Sequence, residues 1–471
     1  MLPAAELFPF FLPFLALSAG IVFTLVSEPF LQPAHKHRIL PVVGILSLLG
    51  AMASFALIRD SSWYGLLQVD SSRAIMGLVV LAAAILGLAG LQQKLSEEDF
   101  PGGEPYILML LATAGALMMT QASSSLSLFI GMELASLPIY AMVGLRRREE
   151  MGIEALFKYF IMGAVFSAVF LYGASLLYGA TGTLRFAAMP IAGREVYFYA
   201  GAILVSVGLL FKAGVAPFHF WSADAYAGAP TPVTGFMASV IKVGSLVALG
   251  TLWQTWVVLP LDMAERLFWI FAVGGILSVA VGAFSGLGQR RARRLMAFSS
   301  VSHAGFLLFA LLPTGMVIGG LPQLSNLWYY LFTYALGTSV VLSGLSAVTG
   351  KDDEGDTLQA LAGAGKANPL LGATITVSLA SLAGFPLGAG FLAKFNVLAT
   401  LVANGQWKIA SLLLLLAMVG AVYYIRLAVV LWADSQTPRA PVVVRPLLAI
   451  ALSLASALLV LGLVFPGRFG G

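Results

Sequence analysis

The sequence predicts an all-α polytopic membrane protein with about fourteen transmembrane helices. Of its 471 residues, 59% are hydrophobic and only 10% are charged, whereas a soluble domain carries about one quarter charged residues. Apolar runs of about 20 residues, the length that crosses a bilayer as a helix, follow one another with short polar links. The 50 glycines suit close packing between membrane helices, where small residues let two backbones approach.

The predicted spans are spread along the whole chain. The first is expected to be retained, because Met1–Glu6 lacks the basic segment of a cleaved signal. An even number of spans places both termini on one side. The spans are centred near Leu15, Leu48, Ala82, Leu111, Leu134, Val165, Val205, Ser239, Gly275, Phe306, Ala335, Ala383, Ala417 and Ala455.

Basic residues in the predicted loops indicate the orientation. If both termini lie on the periplasmic side, the inside loops carry fourteen basic residues and the outside loops and tail carry seven. Such an excess marks cytoplasmic loops. We therefore expect the two densest groups, Arg146–Arg148 and Arg290–Arg294, to face the cytoplasm. The net charge of +5 follows from this bias and does not indicate nucleic-acid binding.

The residues available for chemistry are few. The chain contains no cysteine, which excludes iron–sulfur clusters, thiolate zinc sites and disulfides within it. Its four histidines, of which two lie in one basic loop, leave little for haem or a metal site. Any redox chemistry connected with this protein is therefore expected in other chains.

Six charged residues fall inside predicted spans, where each costs several kcal/mol unless it is paired or hydrated. Snorkelling to the interface explains Arg426 best, since it lies near an inside end, and is an alternative for Lys158 and Lys394. It does not suit Glu133, whose side chain is short, or Lys242, which is about ten residues, roughly 15 Å, from either helix end. The six are Glu133, Lys158, Lys212, Lys242, Lys394 and Arg426.

The stretch from Leu209 to Thr234 predicts a broken membrane helix. It places Lys212 within an apolar run and then interrupts the run with Gly214 and Pro217. In a bilayer, backbone leaves the helix only where protein or a water-filled cavity satisfies its polar groups. A lysine beside such a break indicates an ion path.

A second interrupted run lies between Ser381 and Phe395. Gly384 and Pro386 begin the interruption, Gly388 and Gly390 continue it, and Lys394 follows. The two breaks lie five spans apart, which predicts two inverted five-helix repeats, each containing a broken helix. Loose packing of glycine-rich helices is the alternative.

These observations divide a single membrane domain into regions. We predict an N-terminal three-helix region at 1–104, a first antiporter-like repeat at 105–254, a second, inverted repeat at 265–433 and a C-terminal helix at 434–471. His303 lies in a polar patch, Ser299–Gly305, early in the tenth span. It is either a proton carrier between the two halves or part of a structural hydrogen-bond cluster.

Four segments resemble one known family, the antiporter-like subunits of respiratory complex I. They are Lys212–Thr234, Met132–Pro138, the run Leu295–His303 and the segment from Leu382 to Lys394. Within the family, Glu154–Phe160 and Tyr178–Thr183 are most similar to the subunit N branch. The resemblance covers almost the whole chain. It implies no counterpart of the long lateral helix that marks the related subunit L.

The resemblance implies proton translocation through this chain. It places the key charges on Glu133 and Lys158 as an ion pair, on Lys212 and Lys242 along a central axis, and on Lys394 in the second half-channel, with His303 connecting the halves. Two buried charges about 4 Å apart interact by roughly 4 kcal/mol at an effective dielectric near 20, so moving one charge changes the proton affinity of the next. We expect such a relay to drive the transfer.

Three classes of function remain. The resemblance favours the subunit of NADH:quinone oxidoreductase, a translocase without an electron-transfer centre of its own. NADH, FMN, iron–sulfur clusters and quinone then belong to the whole complex, and the partners are neighbouring antiporter-like and small membrane subunits in the bacterial inner membrane. The alternatives are a subunit of a multi-subunit Mrp-type cation/proton antiporter and a passive scaffold. Packing alone does not require charges at membrane depth, which disfavours the scaffold.

Overall fold

The structure is a computed structural model in which every long element is a helix. It describes residues 4–57, 61–98, 100–146, 149–188, 191–256, 261–312, 324–386, 388–435 and 441–464. Arg147 and Arg148 of the first arginine group, and Leu387 in the second break, lie outside these residues. The single described sheet is a short hairpin of β1, Ser61–Trp63, and β2, Leu67–Val69.

The first half of the chain contains three N-terminal helices, of which the third is largely buried, followed by the first predicted repeat. Its helices are α1 (Ala4–Ser27), α2 (Pro33–Ser54), α3 (Ser71–Glu97), α4 (Glu104–Gln121), α5 (Ser125–Val143), α6 (Glu150–Thr181), α7 (Glu195–Ala213), α8 (Phe220–Gly228), α9 (Thr231–Phe236) and α10 (Lys242–Trp256). One π-helical turn, Met237–Ile241, joins α9 to α10.

The second half repeats this pattern of long helices with one interruption. Its helices are α11 (Leu261–Leu287), α12 (Ala292–Leu311), α13 (Ser325–Ser346), the single turn α14 (Ala364–Ala367), α15 (Pro369–Ala383), α16 (Ala389–Ala403), α17 (Trp407–Trp432) and α18 (Pro446–Val464).

The predicted spans are confirmed. Among the described residues, eleven helices are long and apolar enough to cross a membrane. The other predicted spans coincide with α4, of 18 residues, with α13, of 22 residues, and with the shorter apolar helices α15 and α16. Each of the fourteen predicted centres falls in its own span.

The core of the molecule lies where the two halves meet. Every residue in the most apolar stretch of the helix through α9 and α10 is buried, and α12 is nearly as enclosed. On α13 all residues from Leu327 to Ser346 are buried. In contrast, α1, α6 and α17 turn most of their apolar side chains outward, as expected of helices that face lipid or a neighbouring chain.

Both predicted breaks are confirmed. α7 ends at Gly214, whose φ of 68° is left-handed, and the chain does not return to a helix until Phe220. The amide of Val215 donates to the carbonyl of Leu210 at 3.0 Å. The amide of Gly214 donates to the same carbonyl, and this pair of bonds closes the last turn of the helix. The next amide, that of Ala216, donates to Oγ of Ser278 on α11 at 2.8 Å.

The second break repeats the same backbone arrangement. α15 ends at Gly384 with a φ of 89°, and the amide of Phe385 donates to the carbonyl of Ala380 at 3.0 Å. Pro386 lies in the turn that follows. Gly390 at the start of α16 donates to Oγ of Ser381 at 3.0 Å. The domain boundaries within the two halves stay a prediction.

Candidate functional site

Lys242 lies at the centre of the molecule, on the first residue of α10. Its side chain is 2% exposed, and its ammonium donates to the carbonyl and to Oγ of Ser300 on α12, both at 2.6 Å. It also lies 5.4 Å from the ring centre of Tyr334. The π-helical turn just before Lys242 adds a residue to the helix, and such turns occur frequently at functional sites.

Hydroxyl groups surround the contact between Lys242 and Ser300. Oγ of Ser300 lies 2.9 Å from the hydroxyl of Tyr334 on α13 and 3.3 Å from that of Tyr226 on α8. The Tyr334 hydroxyl in turn donates to the carbonyl of Ala238 at 2.8 Å. Helices of both halves therefore contribute to one hydrogen-bonded group around a buried ammonium.

His303 lies one turn further along α12 and continues this group. Its two ring nitrogens are hydrogen-bonded to Tyr330 on α13 at 3.1 Å and to Tyr424 on α17 at 3.0 Å. The hydroxyl of Tyr424 also bonds Ser299, the neighbour of Ser300. His303 and Lys242 are thus linked through Tyr424, Ser299 and its neighbour Ser300, and which of the two roles expected for His303 applies stays a prediction.

Lys394 lies on α16 beside the second break. Its ammonium donates to the carbonyls of Leu382 at 2.7 Å and Ala383 at 3.0 Å, at the carboxyl end of α15. The negative end of a helix dipole favours a cation there. The Lys394 ammonium also lies 5.6 Å from the ring centre of Phe306, so it contacts α12, the helix that carries His303.

A cavity of about 680 Å³ opens beside Lys394, between the second break, α16 and α17. Its walls are mainly apolar, and Phe391, Phe395 and Met418 are among the side chains that line it. Lys394 itself is half-buried. The second break therefore has an open side, whereas the cluster around Lys242 is enclosed on all sides.

Lys212 is held on the other side of the centre, two residues before Gly214. Its ammonium donates to Oγ of Ser136 at 2.7 Å and to the hydroxyl of Tyr140 at 3.0 Å, both on α5. Its side chain is 2% exposed. Its described hydrogen-bond partners are hydroxyls, which both accept and donate protons.

Aromatic rings connect the Lys212 site to the central cluster. Tyr140 contacts Tyr159 with ring centres 4.8 Å apart, and Tyr159 stacks on Trp221 at 4.3 Å. Trp221 contacts Tyr226 at 6.2 Å, and Tyr226 reaches Ser300. The described side chains are connected here by contacts between aromatic rings, whereas those around Lys242 are connected by hydrogen bonds.

The ion pair expected between Glu133 and Lys158 is not present in the structure. Glu133 accepts a hydrogen bond from Ser167 at 2.5 Å. Lys158 is bound by Glu154 at 2.6 Å and by Asp224 at 2.9 Å. The reason is the rotation of α6, which turns Lys158 outward and leaves its side chain 47% exposed.

The remaining intramembrane charge, Arg426, is separate from the axis. Its guanidinium donates to the carbonyls of Leu287 and Gln289 at 2.8 and 2.7 Å, where α11 ends. This agrees with a residue near a helix end rather than at the centre of a span. Arg426 thus stabilises a helix terminus and contacts none of the other five charges at ion-pair distance among the described residues.

The sequence reasoning missed the tyrosines and Asp224. Tyr330 and Tyr334 are four residues apart on α13 and face the same side, which is the signal that could have identified them. Asp224 follows the first break directly, but its partners are on α6 and α12: it also lies 3.8 Å from Arg294. Among the described residues, no group of three His, Asp or Glu side chains is placed to bind a metal ion.

Comparisons with known proteins identify the family of the chain. A family model for NADH:quinone oxidoreductase/Mrp antiporter membrane proteins matches residues 122–422, a segment that contains both broken helices. NADH-quinone oxidoreductase subunit N of Parafrankia sp. (strain EAN1pec) is 35% identical, with 95% of this chain and 85% of the relative covered. The subunit N of Salinibacter ruber is 31% identical, with 92% of this chain and 89% of the relative covered.

Solved structures give the same result. A chain of respiratory complex I from Thermus thermophilus with bound aureothin is 32% identical with a TM-score of 0.82, covering 98% of this chain and 100% of that one. A chain of the Mrp complex from Dietzia sp. DQ12-45-1b has a TM-score of 0.81 at 18% identity, covering 97% and 94%, so that likeness shows the fold alone. This chain belongs to the NADH:quinone oxidoreductase/Mrp antiporter membrane family and, within it, to the NADH-quinone oxidoreductase subunit N family.

Proposed function

We propose that this chain is the proton-translocating membrane subunit of a bacterial NADH:quinone oxidoreductase. It carries no electron-transfer centre and couples electron transfer in other subunits to proton movement through its own buried polar axis. The axis runs from Lys212 through Lys242 and His303 to Lys394. NADH, FMN, iron–sulfur clusters and quinone are bound by other chains of the complex.

The observation that carries the proposal is the environment of Lys242. A lysine that is 2% exposed at the centre of a membrane protein is costly, and packing does not require it. The oxygens that accept from its ammonium among the described residues both belong to Ser300. Because these partners are neutral, the charge on Lys242 responds directly to any charge that moves nearby.

The geometry suits stepwise transfer. Hydroxyls of Ser300, Tyr334 and Tyr226 lie within hydrogen-bonding reach of one another beside Lys242, and each both donates and accepts. His303 bonds Tyr330 and Tyr424 through its two ring nitrogens, and a neutral imidazole donates from one nitrogen and accepts at the other. A proton released at Lys242 therefore has successive acceptors on the way to Lys394.

Glu133 and Lys158 provide the entry to this relay. In the present arrangement each has other partners, Ser167 for Glu133, and Glu154 with Asp224 for Lys158. Closing their ion pair moves the Lys158 ammonium from the outer face of α6 towards Glu133 on α5, and opening it reverses that movement. The change of partner alters the field at Lys212, which then passes the effect to Lys242.

Location and partners follow from the same reasoning. The subunit lies in the bacterial inner membrane with both termini in the periplasm. Its outward-facing helices contact lipid and the neighbouring antiporter-like and small membrane subunits of complex I.

The test is the variant Lys242→Ala in membrane vesicles. Removing a proton carrier is expected to lower proton pumping and coupled NADH:quinone reduction together, on the order of a hundredfold, because the two steps are linked. NADH oxidation with an artificial electron acceptor reports on the redox subunits and should be unchanged. Lys408→Ala is the matched control, since Lys408 is exposed at the start of α17.

Two outcomes count against the proposal. Lost acidification with fully retained quinone reduction would contradict tight coupling through this chain. Loss of sodium- or potassium-linked proton exchange with unchanged NADH:quinone reduction would instead indicate an Mrp-type antiporter subunit.

A further inference from the structure

A buried ion cluster lies at one end of the helix bundle, centred on Asp353 in the loop after α13. The Asp353 side chain is fully buried, and three groups contact each of its carboxylate oxygens. Oδ1 is bound by Lys94 at 2.6 Å, by the hydroxyl of Thr231 at 2.6 Å and by Thr349. Oδ2 is bound by Arg146 at 2.9 Å, by the amide of Thr231 at 3.0 Å and by Arg293 at 3.6 Å.

The backbone that presents Asp353 is strained. Asp352 and Asp353 have φ values of 54° and 57°, a left-handed conformation that non-glycine residues seldom adopt. Two such residues in succession persist only where surrounding contacts impose them. The left-handed backbone of this loop therefore directs the Asp353 carboxylate into the protein and not towards solvent.

The cations of this cluster need the carboxylate. Side chains of Lys94, Arg146 and Arg293 are 0%, 7% and 2% exposed. Burial acts to raise the pKa of Asp353, but Arg293, Lys94 and Arg146 together hold that pKa well below its usual value. Asp353 is thus held as an anion. Arg146 also pairs with Glu98 at 2.5 Å and Arg293 with Asp356 at 3.1 Å, so Lys94, which lies 4.0 Å from Glu98, depends on Asp353 most.

The cluster joins the two helices that form the central site. Thr231 is the first residue of α9, which continues through the π-helical turn to Lys242, and Arg293 lies in the first turn of α12, which carries Ser300. Arg293 also donates to the carbonyl of Ala229 at 2.6 Å, just before α9. The start of α9 is therefore fixed to Asp353. The start of α12 is fixed to Asp356, which accepts from the amide of Arg293 at 3.0 Å, and through the Arg293 side chain to Asp353 and to the residue before α9.

We infer that Asp353 is a positioning residue for proton transfer, which holds Lys242 on α10 in register with Ser300 on α12. The inference rests on the proposed function. Lys242 is eleven residues from Thr231, about 16 Å along the helix, and Ser300 is seven residues from Arg293, about 10 Å. Because helices are stiff over these lengths, a shift at their starts is transmitted to the contact between Lys242 and Ser300.

The test compares Asp353→Asn with Asp352→Asn in the assembled complex. Both substitutions replace an aspartate by an asparagine in the same loop, but the side chain of Asp352 is 44% exposed. Misplacing a reacting group by about 1 Å costs up to a hundredfold, so Asp353→Asn should lower pumping and quinone reduction at least about tenfold per complex. Asp352→Asn should stay within about twofold.

A pH profile separates positioning from simple loss of structure. The titratable groups that face Lys242 from neighbouring helices are Tyr226, Tyr334 and His303. If Asp353→Asn displaces Lys242 from the Ser300 oxygens, the alkaline limb of the activity profile moves to lower pH, because the charged form loses the acceptors that stabilise it. A purely structural defect lowers the rate at every pH and leaves the limb in place, which would overturn the inference.

If the Asp353→Asn complex does not assemble, a second variant tests whether Asp353 is a positioning residue. Thr231→Val keeps the volume and the amide bond and removes only the hydroxyl that binds Asp353. We expect a several-fold slower rate with the same shift of the alkaline limb, and an unchanged rate and profile would overturn the inference. Wild-type behaviour of these variants while Lys242→Ala fails removes only this inference, whereas full activity of Lys242→Ala removes the proposed function itself.

Discussion

The two broken helices share one backbone arrangement and use their lysines differently. Both α7 and α15 end on a left-handed glycine, Gly214 and Gly384. In both, the amide after that glycine donates to the carbonyl five residues earlier at 3.0 Å. This repetition over two sequences with few shared residues indicates that the backbone break is the common element of the two halves.

The lysines differ in position and in partners. Lys212 precedes its break and donates to the hydroxyls of Ser136 and Tyr140. Lys394 follows its break and donates to two backbone carbonyls at the end of α15. Hydroxyls exchange protons with a lysine, whereas carbonyls only accept hydrogen bonds. Lys212 is therefore placed as a relay, and Lys394 both carries charge and completes a helix terminus.

The surroundings of the breaks differ too. At the first, Ala216 bonds Ser278 on α11 of the other half, and a cavity of about 170 Å³ lies beside Pro217. The second is closed by its own helix, through Ser381, and has a cavity of about 680 Å³ on one side. The two breaks therefore differ in the burial of their lysines: Lys212 is 2% exposed, whereas Lys394 is half-buried and lines the larger cavity.

The largest expected difference is in stability. Lys394→Met leaves two carbonyls without their donor, and hydrogen bonds to a charged group contribute about 1.5–3 kcal/mol each. Lys212→Met costs less, since Ser136 already donates to the carbonyl of Met132. We expect Lys394→Met to lower the temperature at which heated complex loses this subunit on native gels, relative to Lys212→Met. If both variants lose the subunit at the same temperature, Lys394 does not stabilise its helix terminus more than Lys212 stabilises its own site.

The glycines give the next largest difference. Alanine in a left-handed conformation costs about 1–2 kcal/mol at either position. At Gly214 the added Cβ meets nothing closer than Trp221 at 4.0 Å, but at Gly384 it lies 3.0 Å from Cδ of Lys394. Gly384→Ala should therefore slow pumping per assembled complex several-fold more than Gly214→Ala. A larger loss for Gly214→Ala would reverse the comparison.

The hydroxyls at Lys212 test the relay more finely. Ser136→Ala and Tyr140→Phe each remove one bond worth about 0.5–1.5 kcal/mol, so each single change should slow pumping by up to about tenfold and the pair by more. Ser206→Ala is the control, because that buried serine on α7 bonds only its own helix, at Ala202. If the control slows pumping as much as the paired variant, the loss is not specific to the relay.

The inverted orientation of the two halves can be tested with cysteine substitutions that have the smallest expected effect on activity. α7 should begin on the periplasmic side and α15 on the cytoplasmic side. In this cysteine-free chain, Glu195→Cys should react with an impermeant thiol reagent outside intact cells, and the exposed Gln359→Cys should react only in inverted vesicles. Both variants should keep activity within about twofold. Labelling of both from the same side would contradict the inversion.

Much of the fold could be predicted from the sequence. The length of each apolar run gives a span, because a helix must be about 20 residues long to cross a bilayer. The breaks follow from Gly214 with Pro217, and from Gly384 with Pro386, since these residues end helices. Lys212 and Lys242 stand out because buried charge is rare in membranes.

The partners of these residues could not be predicted. Lys242 and Ser300 are separated by 58 residues, and nothing local indicates which faces of α10 and α12 meet. Asp353 lies in a polar, acidic loop that resembles a solvated segment, yet its side chain is fully buried. Such contacts depend on how helices rotate and pack, which a single sequence does not record.

The rotation of α6 about its own axis also could not be predicted from the sequence. The expected pair of Glu133 and Lys158 assumed that two opposite charges at similar depth would meet. The structure instead gives Lys158 two carboxylates on its outward side, Glu154 and Asp224. A few tens of degrees of helix rotation decide between these partners, because successive side chains on a helix are about 100° apart.

We propose that both broken helices belong to one proton path through Lys242. The proton-pumping rates of Lys212→Met, Lys394→Met and the double variant test this. The pumping rate of Lys242→Ala defines the level that remains when the path in this chain is closed. Steps in series are not additive, so each single variant should already fall to that level and the double variant should fall no further. If each single variant stays well above it and only the double variant reaches it, the two breaks serve separate routes and the account is contradicted.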